Sequence, residues 1–112
     1  MKGHIAEAVT SNIFLVRKDV LITPSLESGI LPGITRKTVI DIARRLKIRV
    51  REKAVPRKEL ASADEVFLTN SLAGILPVVK AGTGCIGSGR PGRFTKLLYS
   101  AYQQETAAHS SR

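Results

Sequence analysis

The 112-residue sequence predicts one mixed α/β domain, in which short strands alternate with helices. Two apolar runs, residues 13–16 and 66–68, have the β-branched and aromatic composition of strands. Two further stretches carry apolar side chains at the spacing of one helix face. Their positions are Val39, Ile42, Ala43 and Leu46 in the first, and Phe94, Leu97, Leu98, Ala101 and Tyr102 in the second. A chain of this length can bury one core but not two.

The first strand runs into a turn at Lys18 and Asp19, after which residues 20–23 form a second apolar run. Two runs joined by so short a turn are expected to pair as a hairpin, which Pro24 ends. After the first helix, residues 49–55 alternate polar and apolar side chains, as an exposed or edge strand does.

The second half continues with a short helical segment after Pro56, because proline is tolerated in the first turn of a helix. A buried strand follows at residues 66–68 and another strand at 75–79. A glycine-rich hairpin turn at residues 82–84 then leads into a short returning strand at 85–86.

The last helix is predicted to begin near Gly92. The residues from Glu105 onward are small and polar, which is typical of a chain end that frays. We therefore expect a domain over residues 1–104 and a disordered tail over residues 105–112.

The chain carries a net charge of +9, from 18 basic and 9 acidic side chains. Nucleic acid is the first partner that such a charge suggests. Against it, the sequence offers only three Phe and two Tyr for stacking on bases, and its basic residues are spread over several elements. We expect no nucleic-acid partner, and we assign the excess charge to surface that meets a partner chain or a missing half of the protein.

Other features of the sequence indicate the cell compartment in which the protein is expected. No apolar run reaches the roughly 20 residues needed to span a membrane, and the first residues lack the apolar stretch of a secretory signal. The single cysteine, Cys85, excludes an internal disulfide and fits a reducing compartment. We therefore expect a cytoplasmic protein with no membrane partner, and the sequence offers no zinc-ligand spacing.

The stretch from Ser28 to Leu46 is the strongest local signal for a binding site. A turn with two glycines and a proline ends at Gly33 and feeds a helix from Ile34. The first N–H groups of a helix have no intrahelical acceptor, so together with the Thr35 hydroxyl they can hold an anion such as phosphate. Arg36 and Lys37, which follow, add positive charge. The alternative is an ordinary helix start after a strand.

Three polar clusters lie at ends of predicted strands: residues 7–12, 33–36 and 69–74. Strand ends are where mixed α/β proteins assemble their sites. The clusters together offer a carboxylate, a phosphate-binding turn and a second turn with hydroxyl groups. This set fits a phosphorylated cofactor that has a protonatable ring nitrogen.

Three stretches of the chain resemble successive motifs of the fold-type IV pyridoxal phosphate enzymes. They are Ala-Glu-Ala-Val-Thr-Ser-Asn-Ile-Phe-Leu-Val at 6–16, Thr-Pro-Ser-Leu-Glu-Ser-Gly-Ile-Leu-Pro-Gly-Ile-Thr-Arg at 23–36 and Ala-Asp-Glu-Val-Phe-Leu-Thr-Asn-Ser-Leu-Ala-Gly-Ile-Leu-Pro-Val at 63–78. Gly-Arg-Pro-Gly at 89–92 also resembles the family's closing segment. The family contains branched-chain aminotransferases, D-amino-acid aminotransferases and aminodeoxychorismate lyases. The resemblance covers residues 3–103 and implies the family's C-terminal domain, a pseudo-barrel of strands flanked by helices.

The resemblance implies that the cofactor is pyridoxal 5′-phosphate and assigns residues to it. Glu7 matches the glutamate that pairs with the pyridine nitrogen and keeps it protonated. Gly33, Ile34 and Thr35 match the turn and helix start that hold the phosphate through backbone amides and the threonine hydroxyl. Ser71 matches a hydroxyl near that phosphate.

The same resemblance assigns the turn of Ser71, Leu72 and Ala73 to the substrate carboxylate, which its amides meet. Asn12 belongs to the first motif, where it supports the turn. Purely structural roles remain as alternatives, with Thr35 as a helix cap and Ser71 as a turn residue.

The chain departs from the family at the catalytic lysine. The family's Schiff-base lysine lies tens of residues before the Glu7 motif, as does an arginine that helps bind the phosphate. Lys2 is too close to Glu7 to be that lysine, and no other lysine falls in a matching motif. We therefore expect the C-terminal half of such an enzyme, inactive alone: a truncated product, a fragment or half of a split enzyme. It is expected to form a homodimer or to pair with an N-terminal half.

The predicted function is pyridoxal phosphate chemistry on a small amino-acid-like substrate. Within the family, Thr69-Asn70-Ser71 and the Thr-Pro-Ser-Leu stretch most resemble aminodeoxychorismate lyase, which makes 4-aminobenzoate for folate. The alternative within the family is a branched-chain-type aminotransferase. An alternative of another class is a non-catalytic fragment or interaction module that keeps the fold alone.

Overall fold

The computed structural model describes residues 11–25, 33–56, 58–70, 73–81 and 84–110. Within these ranges the chain forms seven strands and three helices. They are, in order, β1 (Asn12–Arg17), β2 (Val20–Thr23), α1 (Ile34–Arg45), β3 (Arg49–Glu52), α2 (Glu59–Ser62), β4 (Glu65–Asn70), β5 (Gly74–Val78), β6 (Lys80–Ala81), β7 (Gly84–Cys85) and α3 (Arg93–Ser110). The predicted mixed α/β class is confirmed.

The predicted β1–β2 hairpin is confirmed. Its turn residues Lys18 and Asp19 have φ of 52° and 65°, and two successive residues with positive φ make the turn that matches the twist of paired strands. The side chain of Asp64 accepts a hydrogen bond from the backbone N–H of Lys18 at 2.9 Å. The hairpin is thereby tied to the start of β4.

Five strands form one sheet in the order β3-β2-β1-β4-β5. β1 is antiparallel to β2 and to β4, β4 is antiparallel to β5, and β2 is parallel to β3 through the α1 crossover. As predicted, β3 lies at an edge. The directions bring the starts of β1 and β5 and the ends of β2, β3 and β4 to one side of the sheet. We call this side the site edge, and its strand-end residues are Asn12, Thr23, Glu52, Asn70 and Gly74.

The main core lies between the sheet and the two long helices, which pack on the same face. Phe14 of β1 and Phe67 of β4 are fully buried there and stack with ring centroids 5.0 Å apart. Val39 of α1 and Leu98 of α3 close this core. A second cluster covers the other face of the sheet, with Ile13, Leu15, Ile22, Ala63, Val66 and Ile86 as its buried members.

The C-terminal helix is longer than predicted. α3 runs to Ser110, so the expected domain boundary at residue 104 falls inside a helix, and residues 105–110 are helical rather than frayed. The Glu105 carboxylate pairs with the Arg45 guanidinium of α1, and the Thr106 hydroxyl donates to the Tyr102 carbonyl at 3.0 Å. The pairing of Glu105 with Arg45 of α1 stabilises this end of α3. Such a contact between two helices cannot be predicted from the composition of residues 105–110. Residues 111–112 lie outside the described ranges.

A smaller difference concerns the second half of the chain. The predicted returning strand is the second half of a two-stranded ribbon, β6–β7, whereas β5 pairs with β4. Of the turn predicted at residues 82–84, residues 82 and 83 lie outside the described ranges. Among the described helices, none is long and apolar enough to cross a lipid bilayer.

Candidate functional site

The N-terminus of α1 lies at the site edge and has no side-chain cap. Gly33 is the N-cap residue, with an extended backbone (φ −64°, ψ 146°), and no acidic side chain lies in the first turn. The first intrahelical bond runs from the Lys37 N–H to the Gly33 carbonyl at 3.1 Å. Helix geometry leaves the N–H groups of Ile34, Thr35 and Arg36 without intrahelical acceptors, at the positive end of the helix dipole. This end of α1 can receive an anion.

Thr35 and Ile34 occupy different environments in this turn. Thr35 is 5% exposed, and it lies two positions beyond the N-cap, so it does not cap the helix. The Ile34 side chain is 84% exposed. Because the Ile34 side chain is apolar, its backbone amide is the only group of this residue that can donate to an anion.

Asn12, at the start of β1, lies directly against Gly33. Its side-chain oxygen is 2.5 Å from the point where a β-carbon on residue 33 would stand. Asn12 is buried, with 7% of its surface exposed. The glycine therefore lets the start of α1 approach β1 closely, which fits the prediction that Asn12 supports the turn.

Thr69, near the end of β4, adds a buried hydroxyl group at the same edge. It is opposite Asn12 in the β1–β4 register, so the two side chains lie beside each other on the helix-bearing face. Thr69 is fully buried, and its hydroxyl oxygen has no hydrogen-bond partner among the described residues. A buried hydroxyl of this kind is costly unless something else satisfies it.

The side chain of Asn70, the last residue of β4, bonds to two other segments. The Asn70 side-chain amide donates to the Ser11 hydroxyl at 3.2 Å, and its oxygen accepts the Ala73 N–H at 2.7 Å. One side chain thereby joins the segment before β1 to the end of the turn. Asn70 belongs to the polar cluster noted at residues 69–74, but sequence reasoning gave its side chain no role of its own, although asparagine side chains commonly bond to the backbone shortly after them.

The two cations predicted to add positive charge at this helix start are paired instead. The Arg36 guanidinium contacts Glu52 at 2.8 Å, and the Lys37 ammonium contacts Asp41 at 3.1 Å. Arg36 is also buried, with 5% of its surface exposed. The Arg36 guanidinium is therefore engaged away from the helix start, whereas the Lys37–Asp41 pair is an exposed surface pair.

The structure brings part of the predicted site together. Gly33, Ile34 and Thr35 share the site edge with Ala73, and Asn12 stands between the helix start and the end of β4. Glu7, Ser71 and Leu72 lie outside the described residues. Their roles, and the ligand contacts of the other residues, stay predictions.

These features define an α/β domain whose uncapped helix N-terminus, buried hydroxyls and strand ends converge on one edge. The model of the family described as Amino-transferase class IV matches residues 1–81. The chain belongs to this family, and the resemblance noted from its motifs is confirmed. Class IV aminotransferases depend on pyridoxal phosphate, which agrees with the predicted cofactor.

Relatives and solved structures agree with this assignment. The chain is 44% identical over 103 residues to a probable branched-chain-amino-acid aminotransferase of Thermotoga maritima, covering 92% of this chain and 38% of the relative. It superposes on the crystal structure of the Escherichia coli branched-chain amino acid aminotransferase with a TM-score of 0.82 and 41% identity, over 84% of this chain and 31% of the other.

A further solved structure is that of a T.th. branched-chain amino acid aminotransferase with pyridoxamine 5′-phosphate. It matches with a TM-score of 0.81 and 36% identity, over 84% of this chain and 31% of that one. The chain spans about a third of the length of these relatives. Their names favour the branched-chain alternative over the aminodeoxychorismate lyase prediction.

Proposed function

We propose that this chain forms the part of a branched-chain-type aminotransferase that binds the phosphate of pyridoxal 5′-phosphate. The observation that carries the proposal is the uncapped start of α1 at Gly33, packed against Asn12 at the site edge. The identity of 41% to a solved branched-chain aminotransferase supports the choice of substrate class.

The donors at the site edge fit a phosphate. The amides of Ile34 and Thr35 and the Thr35 hydroxyl would hold its oxygens, since phosphate accepts hydrogen bonds on every side and favours a helix N-terminus. The Thr69 hydroxyl, which has no partner among the described residues, lies beside Asn12 on the same face and would supply a further buried donor. The first helical turn has no carboxylate that would repel the ligand.

The remaining contacts of the cofactor and substrate fall mostly to residues outside the described ranges. Glu7 would hold the protonated pyridine nitrogen, Ser71 would add a hydroxyl, and the amides of Leu72 and Ala73 would receive the substrate carboxylate. Asn70 would set the position of that turn through its bond to the Ala73 N–H. Bound pyridoxal phosphate supplies the electron sink for moving an amino group between an amino acid and a 2-oxo acid.

The catalytic lysine is assigned to a further polypeptide segment, in the same protein or in a partner chain. None of the matched motifs in these 112 residues carries the family's lysine. The residues described above would therefore bind and orient the cofactor and the substrate, and the partner segment would complete the site, in a homodimer or in a pair of unlike halves.

The phosphate site is tested with Thr35→Val and Thr38→Val in the 112-residue chain. Thr38 is a matched control, because it lies on the same helix and its hydroxyl donates to the Ile34 carbonyl at 3.1 Å on the exposed side. Pyridoxal phosphate and inorganic phosphate are titrated while the amide resonances of residues 33–35 are followed by NMR. We expect local shifts in the wild type and in Thr38→Val.

Thr35→Val should weaken binding by about tenfold, since one hydrogen bond to a charged group is lost. Equal affinity of the two variants, or a wild type with no shifts at residues 33–35, would contradict the phosphate assignment. The substrate class is tested separately in the lysine-containing assembly, by comparing leucine, isoleucine and valine with D-alanine as amino donors. A preference for D-alanine would contradict the branched-chain assignment.

A further inference from the structure

Arg36 is a buried cation on the apolar face of α1. It lies at the start of the series Arg36, Val39, Ile40 and Ala43, whose members are all buried. Its side chain is 6% exposed. Burying a guanidinium carries a large desolvation cost, which apolar residues at the same position would avoid. Helix formation alone does not explain a cation at this position.

The contacts of Arg36 join three separate parts of the chain. Its Nη2 atom donates to the Pro24 carbonyl at 3.0 Å and to the Glu52 carboxylate at 2.8 Å. Pro24 follows directly after β2, and Glu52 ends β3 beside it, since Thr23 and Glu52 are register partners. Arg36 therefore fastens the first turn of α1 to the ends of two strands at the site edge.

The contacts of Arg36 with Pro24 and Glu52 lie next to the proposed phosphate donors of α1. Arg36 directly follows Thr35, and Gly33 at the other end of this turn contacts Asn12. Arg36 and Asn12 thus hold the turn from two sides. Both of these Arg36 hydrogen bonds use Nη2, and Nε is buried with no hydrogen-bond partner among the described residues. The side chain therefore connects α1 to the strand ends through one atom, Nη2, and we call this connection the Arg36 strut.

We propose that Arg36 is a positioning residue that sets the first turn of α1 against the ends of β2 and β3, so that the amides of residues 33–35 are held in place for the cofactor phosphate. The inference rests on the proposed function for its ligand. Arg36 acts through the backbone, because its own guanidinium is already engaged by Pro24 and Glu52. Loss of the Arg36 contacts should let the amides of residues 33–35 move relative to the strand ends, while the hydrophobic core stays packed.

Arg36→Met separates positioning from stability. Methionine fills a similar volume without a charge. Replacing both members of a buried ion pair by apolar side chains is often neutral or stabilising, but removing one member leaves the other without its partner. Glu52 keeps a cation nearby, since the Arg44 guanidinium lies 3.8 Å away and Glu52 is 36% exposed. We expect the thermal midpoint to fall modestly, because the Pro24 carbonyl loses a donor while Glu52 keeps Arg44 as a partner. The affinity for pyridoxal phosphate should fall about tenfold, as is typical for loss of a supporting outer-shell contact.

Two variants serve as comparisons. Arg36→Lys should keep the affinity within about threefold of the wild type. In Arg36 one nitrogen, Nη2, makes both hydrogen bonds, and the lysine ammonium can make them in its place. Arg44→Met removes the other, more exposed partner of Glu52, at 58% exposure, and should leave the affinity unchanged. If Arg36→Met does not fold, Glu52→Gln removes the charge at the other end of the strut and should also weaken binding.

The experiment titrates pyridoxal phosphate and inorganic phosphate against the 112-residue chain and its variants, with thermal unfolding measured on the same samples. The amide resonances of residues 33–35 are recorded without ligand as well. Arg36→Met should shift these ligand-free resonances, and Arg44→Met should not. Unchanged resonances, or wild-type affinity in a folded Arg36→Met chain, overturn the inference. If the wild type binds no phosphate, the proposed function is wrong. The ligand-free resonances of residues 33–35 then test only whether Arg36 positions the first turn of α1.

Discussion

The side-chain oxygen of Asn12 occupies the space that a β-carbon on residue 33 would need, 2.5 Å from that point. The contact joins the first residue of β1 to the N-cap of α1, which are 21 positions apart in the sequence. The backbone at Gly33 has φ −64°, a value that any residue adopts. Glycine is therefore required here for space and not for backbone conformation.

We expect Gly33→Ala to destabilise the domain by about 1 kcal/mol, because the added methyl group must displace a buried side chain. The measurement is urea unfolding of the single variants and of the pair with Asn12→Ala. In the Asn12→Ala background the same glycine substitution should be neutral or stabilising, since it restricts the unfolded chain. Equal costs in both backgrounds would show that the Asn12 contact is not the cause.

Glu65 of β4 caps the N-terminus of α3. Its carboxylate accepts the Phe94 N–H at 3.1 Å and both the N–H and the hydroxyl of Thr95 at 2.7 Å. A β-carbon on residue 92 would overlap this carboxylate, so the glycine at this position leaves room for the Glu65 side chain. The cap lies on a strand 28 residues before the helix it serves, counted from Glu65 to Arg93.

Glu65→Ala should destabilise the domain by about 1–2 kcal/mol, because it removes the acceptor for two backbone donors of α3. Glu65→Gln should cost less, since one acceptor oxygen remains. Glu59→Ala is the control, since within the described part of the chain the Glu59 carboxylate makes one long contact of 3.8 Å, to Lys53, and such a pair is worth less than about 1 kcal/mol. The comparison uses chemical denaturation, and a cost for Glu65→Ala no greater than that of the control would refute the capping role.

Local patterns were enough to predict most of the elements. The spacing of Val39, Ile42 and Ala43 predicted α1, and the Lys18-Asp19 turn predicted the first hairpin, because both signals lie within one element or one turn. The proposed anion site at Gly33–Thr35 also has a local signal, since a glycine turn and the helix it feeds are consecutive in the sequence. The structure places these residues at one edge with Asn12.

Contacts between distant elements could not be predicted in the same way. Helical spacing places Arg36 on the apolar face of α1, but its partners have no local signal, because Pro24 and Glu52 meet only when β2 and β3 pair. The Glu65 cap and the extension of α3 to Ser110 also depend on packing between elements. The register of β4 on β1, which sets Thr69 beside Asn12, has no local signal either.

The 112-residue chain should show no transaminase turnover on its own with pyridoxal phosphate. Lys37 is the lysine nearest in sequence to the described phosphate donors, and its ammonium lies on the exposed side of α1, paired with Asp41 at 3.1 Å. No lysine of the chain falls in a motif that matches the family's catalytic one. A bound cofactor would therefore be held and oriented without the group that moves protons during the reaction.

The assay supplies leucine and a 2-oxo acid, with free pyridoxal phosphate as the background, and binding is confirmed in the same samples by the shifts at residues 33–35. We expect binding with a rate equal to that background. Turnover above it would contradict the assignment of the lysine to a further segment. Lys37→Arg and Lys2→Ala would then test two of the chain's eight lysines, since each keeps the proposed phosphate donors of α1 intact and removes one candidate amine. A rate that appears only when a lysine-bearing segment of a class IV relative is added would support the assignment directly.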